Sequence, residues 1–103
     1  MVVIWSNPAI DDLKKFKEIT KKTEPDEYLS NLVTYVEDLS LNPRLGKIYI
    51  YIQETIIRQL IYKEHKIYYY IEKNDKIHIL AVVHSKENTK QRISYIKNNF
   101  KNK

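Results

Sequence analysis

The 103-residue sequence contains no cysteine and a single glycine. Without cysteine the chain has no disulfide framework, no thiolate zinc site and no cysteine nucleophile. One glycine, Gly46, excludes a glycine-rich phosphate-binding loop. The only apolar run near the N-terminus, "VVIW", is too short for a signal peptide or a membrane-spanning helix. We therefore expect a cytoplasmic protein, with no membrane association.

The composition indicates one soluble globular domain, with 43% hydrophobic and 30% charged residues. The formal net charge of +5 is unevenly placed. Residues 1–85 carry 12 basic and 12 acidic side chains, whereas residues 86–103 carry 6 basic and 1 acidic. Such a tail suits a nucleic acid or an acidic protein, but basic runs are more often merely solvated.

Two apolar stripes at helical spacing follow the first, strand-like segment. The first predicts a helix from about Pro8 to Lys22, capped by Ser6 or Asn7. Its apolar positions recur at three-residue steps and are Ile10, Leu13, Phe16 and Ile19. The second predicts a helix that begins at Pro25 and stops before Pro43. Its apolar positions are Leu29, Leu32, Val33, Val36 and Leu39.

Isoleucine and tyrosine dominate from residue 47 onward, a composition that favours strands. We expect strands at roughly 56–62, 66–72 and 76–84, joined by tight turns. The preceding "KIYIYIQE" is a further strand or a loop, and Gly46 before it is the natural place for a positive φ angle. Apolar residues at helical spacing near the C-terminus predict a short helix, and they are Ile93, Ile96 and Phe100.

The order of elements predicts an α+β fold, β-α-α-β-β-β, in which a small antiparallel sheet packs on an N-terminal αα-hairpin. We expect a domain at residues 1–88 and a basic, helical extension at 89–103. One face of the sheet would then be free for function.

Strand alternation sorts the candidate functional side chains. It predicts one partly solvated surface that contains Arg58, Lys66, Tyr68, Tyr70 and His78, and it places His84 on the side of His78, Leu80 and Val82. Arg58 could clamp a phosphate, or it could pair with Glu54, Glu64 or Glu72. The tyrosines could stack nucleic-acid bases, although tyrosines on a half-buried sheet more often pack. Tyr69 we assign to the core.

His84 ends the last predicted strand, where a histidine could act as a general acid or base. Alternatively, it is a strand-end side chain bonded to a backbone carbonyl. No carboxylate pair, metal-ligand spacing or serine triad accompanies it, so the residues alone predict neither a metal nor a cofactor.

The segments "IWSNPAIDDLKKF", "LSLNPRLGK" and "IIRQLIYKEHKIYYYIEKNDKIHILAVVHSKEN" together resemble the RelE/ParE superfamily of bacterial toxins, over roughly residues 3–88. The resemblance implies the toxin of a type II toxin–antitoxin pair, neutralised by an antitoxin that wraps it. RelE-like members cleave messenger RNA on the ribosome, whereas ParE-like members inhibit DNA gyrase.

The resemblance also suggests functional positions. Arg58 matches an arginine common to both branches, Lys66 lies where RNA-cleaving relatives often have arginine, and His84 matches a histidine that ends the last strand. Ser85 and Lys86 depart from one nuclease pattern, and Glu54 is the possible substitute for its glutamate. These matches give the catalytic set, for a RelE-like enzyme only, as Arg58, Lys66 and His84. The expected target-binding or nucleic-acid-binding set is Arg58, Lys63, Lys66, Tyr68, Tyr70, His84 and Lys86.

Three hypotheses follow from the sequence. The leading one is a ParE-like toxin that inhibits gyrase. The second is a RelE-like, ribosome-dependent endoribonuclease, in which Arg58 and Lys66 stabilise the scissile phosphate and His84 transfers a proton. The third is a degenerate module that binds an antitoxin without being toxic.

Overall fold

The computed structural model describes residues 1–19, 25–73 and 75–101. Helix α1 (Asn7–Ile19) follows strand β1 (Val2–Trp5), and helix α2 (Pro25–Glu37) continues into a 3₁₀ turn at Asp38–Ser40. Four further strands and a last helix complete the described chain: β2 (Lys47–Ile52), β3 (Thr55–Tyr62), β4 (His65–Glu72), β5 (Lys76–His84) and α3 (Thr89–Lys101). None of the helices in these ranges combines the length and hydrophobicity needed to span a bilayer.

The five strands form one mixed sheet in the order β1-β5-β4-β3-β2. Strand β1 runs parallel to β5, and all other neighbours are antiparallel. The α+β prediction is therefore confirmed, and "KIYIYI" is a strand rather than a loop. The end predicted for the first helix, at residues 20–22, lies outside the described residues.

Ser6 caps α1, as the sequence predicted, because its Oγ accepts a hydrogen bond from the N–H of Ala9 at 3.2 Å. The inward face of the helix differs from the predicted stripe. Ala9 is fully buried whereas Ile10 remains 37% exposed. Asp12 is turned toward the sheet because its carboxylate accepts a hydrogen bond from the N–H of Val82.

The helices α1 and α2 cover one face of the sheet, here called the helical-pair face. Its core consists of Ala9, Leu32, Val36 and Leu39 from the helical segments and of Leu60, Ile67, Tyr69, Ile77, Ile79 and Val82 from the strands. Leu32, Val36 and Leu39 recur at helical spacing, so their side chains lie on the same side of the helical segment. The stripe predicted for the second helix therefore supplies Leu32, Val36 and Leu39 of this layer, whereas Ala9 of α1 was not part of a predicted stripe.

The opposite face of the sheet is not free, contrary to our expectation. Helix α3 packs on it, and we call it the α3 face. A second core forms there from Ile93 and Ile96 together with Ile52, Ile57, Tyr68, Ala81 and Val83. Without α3 these apolar side chains of the sheet would face water. The predicted C-terminal helix is therefore part of the fold's packing.

Gly46 does not have a positive φ angle, so that prediction is wrong. Positive φ occurs instead at Gln53, Lys63 and Asp75, all in the turns between strands. Gly46 is required for a different reason, since a Cβ atom there would lie 2.8 Å from the ring of Tyr69 and 2.9 Å from the carbonyl oxygen of Gln59. The close approach comes from tertiary packing, which the local sequence does not reveal.

Candidate functional site

A bulge in β5 decides which histidine faces which side. Tyr68 pairs with Ala81 and Tyr69 pairs with Ile79, so Leu80 is the extra residue. Side chains beyond Leu80 are therefore reversed relative to simple alternation. His78 lies beside Tyr70 on the α3 face, whereas His84 lies on the helical-pair face. The predicted grouping of His84 with His78 is wrong for this reason.

The predicted common surface is also divided by the sheet. Arg58 lies opposite Tyr69 on the helical-pair face, whereas the residue before it in β3, Ile57, packs on the α3 face. Lys66 lies opposite Val83, on the α3 face with Tyr68 and Tyr70. The two cations that were expected to act together therefore project from opposite sides.

His84 lies at one corner of the sheet with both ring nitrogens occupied. Its Nδ1 accepts a hydrogen bond from the backbone N–H of Lys86 at 3.1 Å. A neutral ring then carries its proton on Nε2, which lies 3.5 Å from a carboxylate oxygen of Glu64. The carboxylate beside His84 is therefore Glu64, and Glu54 lies in the turn before β3, at the far end of that strand. We call Tyr28, Glu64, His65, His84 and Lys86 the His84 corner.

A second histidine lies behind His84. The rings of His65 and His84 meet edge to face at 5.1 Å, and His65 also contacts Phe16 at 4.7 Å. The hydroxyl of Tyr28 accepts a hydrogen bond from the backbone N–H of Glu64 and shares a second one, of 2.9 Å, with Nδ1 of His65. Burial lowers the pKa of His65, and the neighbouring His84 lowers it further. Burial therefore favours the neutral form of His65.

Arg58 supports the chain around Gly46. Its Nη1 donates a hydrogen bond of 2.8 Å to the carbonyl oxygen of Gly46. The hydroxyl of Tyr69 accepts from the N–H of Gly46 and donates to the carbonyl of Pro43, both at 2.8 Å. Within the described residues Arg58 makes no ion pair with a carboxylate, so the pairing considered with Glu54, Glu64 or Glu72 is not observed.

The remaining predicted site residues are scattered. Lys63 lies in the β3–β4 turn, with Nζ 5.5 Å from the ring centre of Tyr62 and 5.8 Å from that of Tyr28. Lys86 is exposed beside His84. Tyr70 stacks on His78 at 4.8 Å. Tyr68 is fully buried and its hydroxyl accepts a hydrogen bond from Gln59, so its observed role is packing rather than the predicted target contact.

These positions do not form one catalytic centre. Arg58 pairs with Tyr69 while Tyr62 pairs with His65, which in turn lies opposite His84. Four residues of strand therefore separate Arg58 from the row of His84, a distance of about 13 Å. The His84 corner brings a histidine and a carboxylate together, and at the other end of β4 His78 lies 3.6 Å from a carboxylate oxygen of Glu72. Within the described residues no group of three or more possible protein ligands could hold a metal ion.

Sequence reasoning missed the ion pair between Asp12 and Arg92. Both guanidinium Nη atoms donate to the two carboxylate oxygens, at 2.8 and 2.7 Å. Asp12 also accepts a hydrogen bond from the N–H of Val82. Val82 lies beyond Ile79, the last residue of β5 that pairs with β1. The pairing raises the pKa of Arg92. Asp12 therefore joins α1, β5 and α3. The sequence offered no signal for this role, since Asp12 stands next to Asp11, which is exposed.

Comparisons with known proteins agree with this architecture. Residues 3–89 match the family of the ParE toxin of type II toxin–antitoxin systems, parDE. The chain is similar to a solved structure of the toxin–antitoxin complex RelBE2 from Mycobacterium tuberculosis, with 25% sequence identity and a TM-score of 0.58. That similarity covers 81% of this chain and 95% of that chain. No curated protein matches the chain.

Proposed function

Because the chain belongs to the ParE toxin family of type II toxin–antitoxin systems, we propose that it arrests growth by inhibiting DNA gyrase. The observation that supports this proposal is the match of residues 3–89, most of the chain, to the family of the ParE toxin. The similar solved structure is a toxin–antitoxin complex. We propose accordingly that a cognate antitoxin binds this chain and holds it inactive.

The distribution of charged side chains supports gyrase binding over RNA cleavage. Cleavage through attack by a 2′-hydroxyl needs a proton-transfer group and a cation within hydrogen-bond reach of one phosphate. Arg58 lies about 13 Å along the sheet from the row of His84, and Lys66 projects from the other face. A binding protein does not need these groups to converge on one phosphate, because a large partner can be held by contacts that lie far apart.

The test is a gyrase reaction with the purified chain, gyrase and plasmid DNA. We expect loss of supercoiling and the appearance of DNA trapped in its cleaved form. The variant Arg58→Ala should reduce the effect, and Arg44→Ala is the matched control because Arg44 is exposed in the loop before Gly46. Thermal unfolding of both variants separates lost contact from lost folding. Normal supercoiling in the presence of the wild type would contradict the proposal.

The His84 corner favours a second candidate function, a ribosome-dependent endoribonuclease. Its supporting observation is the proximity of Nε2 of His84 to Glu64 at 3.5 Å, with Lys63 and Lys86 nearby. Primer extension on cellular messages after induction distinguishes the two functions, because cuts in phase with codons would indicate the nuclease. His84→Ala should abolish those cuts. If His84→Ala and Arg58→Ala both remain fully toxic, neither residue belongs to the site under either mechanism.

Induction of the wild type without any antitoxin tests the third hypothesis, a module that only binds an antitoxin. We expect growth to stop under the gyrase proposal. Unchanged growth, with the protein present in the soluble fraction, would favour the degenerate module.

A further inference from the structure

Strand β2 is an uncovered edge of the sheet. It pairs with β3 on one side, and no strand lies beyond it within the described residues. Its side chains include Tyr51, which is 63% exposed, and Ile48, which is 48% exposed. Exposed large hydrophobic residues concentrate here, and those on or beside β2 are Leu45, Ile48, Tyr49, Tyr51 and Ile56. An apolar edge strand with unpaired backbone groups is a site for pairing with another strand.

The side chains of β2 do not alternate regularly. A register shift between Ile48 and Ile50 makes Tyr49 an extra residue, and Tyr49 contacts Tyr68 on the α3 face at 5.1 Å. Ile50 and Ile52 pack against the core of the same face. Ile48 lies opposite Arg58, on the helical-pair face. From the first residue to the last, the α3 face therefore receives Lys47, Tyr49, Ile50 and Ile52, and the helical-pair face receives Ile48 and Tyr51.

This pattern is symmetric about its centre, which points to one occupant. We propose that two copies of the chain pair through β2 as antiparallel strands related by a two-fold axis. Ile48 would lie opposite Tyr51 of the second copy, and Tyr49 opposite Ile50 of the second copy. Each of these pairs joins side chains on the same face of the continuous sheet. Isoleucine–tyrosine pairs across strands are among the stabilising combinations.

The register is determined by the faces. A shift of one residue in either direction would place Ile48 opposite Ile50 or Ile52, which point to the other face. Because a slip of one residue reverses every side chain, such pairings are disfavoured. The bulge also favours a second copy as the occupant. A regular strand paired with β2 would lose register at Tyr49. A second β2 strand carries the same extra residue, and the two-fold axis places it opposite the bulge of the first copy.

The charges at the two ends of β2 are complementary. Lys47 would lie opposite Ile52 of the second copy, next to the turn that carries Glu54 of that copy. The two-fold axis repeats this contact at the other end. A single edge lysine normally discourages strand pairing, but in this register each lysine lies near a turn that carries a glutamate, at the opposite end from the other lysine.

The absence of cysteine from the sequence allows a direct test. Full-length Ile48→Cys and Tyr51→Cys variants are purified, mixed and oxidised. We expect a disulfide-linked dimer that contains one copy of each variant, because opposed residues have Cα atoms about 4.5–5.5 Å apart, within disulfide range. Each variant oxidised alone is the matched control, because like positions would be three residues apart along the strand, about 10 Å.

Sedimentation of the unmodified chain gives the second readout. We expect a concentration-dependent dimer, and Tyr51→Glu should shift it to monomer while its circular dichroism spectrum stays unchanged. A monomer at every soluble concentration would overturn the proposal. So would equal yields of disulfide in the mixture and in the two controls. If the edge is protected from hydrogen exchange only when an antitoxin is present, its occupant is the antitoxin and the two-fold pairing is wrong.

Discussion

At the scale of single residues, Gly46 is the position where a small change should have the largest effect. Gly46→Ala places a Cβ atom against the ring of Tyr69 and the carbonyl of Gln59. Overpacking of this kind costs about 1–3 kcal/mol of unfolding free energy. Urea denaturation of the variant and the wild type measures the difference, with Ser94→Ala on the exposed side of α3 as a control.

The variant Gly46→Asn separates close approach from backbone strain. Asparagine tolerates positive φ better than other residues with side chains. If positive φ were the reason for the glycine, asparagine would be better tolerated than alanine. Because the obstacle is contact with Tyr69, we expect asparagine to be at least as destabilising as alanine. The reverse order would show that our explanation of Gly46 is wrong.

His65 should make stability depend on pH. Burial and the nearby His84 hold the pKa of His65 in the folded chain below the ordinary 6.5. When the pH falls to about 6.5 and lower, the unfolded chain therefore binds a proton at His65 more readily than the folded chain does. The free energy of unfolding should therefore fall as the pH drops from about 7 toward about 5, and this contribution is complete above the unfolded pKa.

Denaturation curves of the wild type and of His65→Gln over this pH range provide the measurement. The amide of glutamine can donate to or accept from the hydroxyl of Tyr28 but does not titrate. We expect the variant to lose less stability than the wild type on acidification. Other groups near His65, including Glu64, Glu87 and His84, remain in both proteins. Identical pH dependence of the two would exclude His65 as the source.

At the scale of elements, the contact between α1 and α3 depends on one ion pair. Arg92→Met keeps the length and apolar character of the side chain but removes both hydrogen bonds to Asp12. The partly buried carboxylate then keeps only the N–H of Val82, and we expect a loss of about 2–4 kcal/mol. Hydrogen exchange should increase in α3 more than in β3 and β4. Lys90→Met, on an exposed position of the same helix, should have little effect.

The elements also show which features the sequence could predict. Apolar side chains in α2 at helical spacing identified Leu32, Val36 and Leu39, because that periodicity arises from burial of one helix face. Alternation failed in β5 because of the bulge at Leu80, which lies just beyond the last pair between β1 and β5. His84 was correctly suspected as a strand-end residue, but its partner Glu64 comes from another turn.

The same limit applies to Arg58 and Lys66. Each residue was recognised by its charge within an apolar strand, and each occupies a strand as predicted. Their placement on opposite faces follows from the register between β3 and β4, in which Arg58 pairs with Tyr69 and Lys66 with Ile61. Registers are set by turns and by packing against the helices, so single-strand alternation did not predict them.

At the scale of the whole molecule, one sheet separates two cores, and the second core depends on α3. Ile93 and Ile96 are almost fully buried on the α3 face. Burial of each isoleucine contributes about 1.5–3 kcal/mol, which is a large part of the total of about 5–15 kcal/mol for a typical domain. The segment 89–103 should therefore be required for the stability of residues 1–88, although it follows the family's matched region almost entirely.

Deletion of residues 89–103 tests this dependence. We expect the shortened chain to lose at least about 3 kcal/mol, since two buried isoleucines are removed, and to bind a hydrophobic dye at the exposed Ile57 and Val83. Tyr95→Ala is the matched control within α3, because Tyr95 is exposed and lies outside the second core. If residues 1–88 unfold cooperatively with the full free energy, they form an independent domain and α3 is an accessory helix. Lower stability without dye binding would instead mean that the uncovered α3 face rearranges to bury its own apolar side chains.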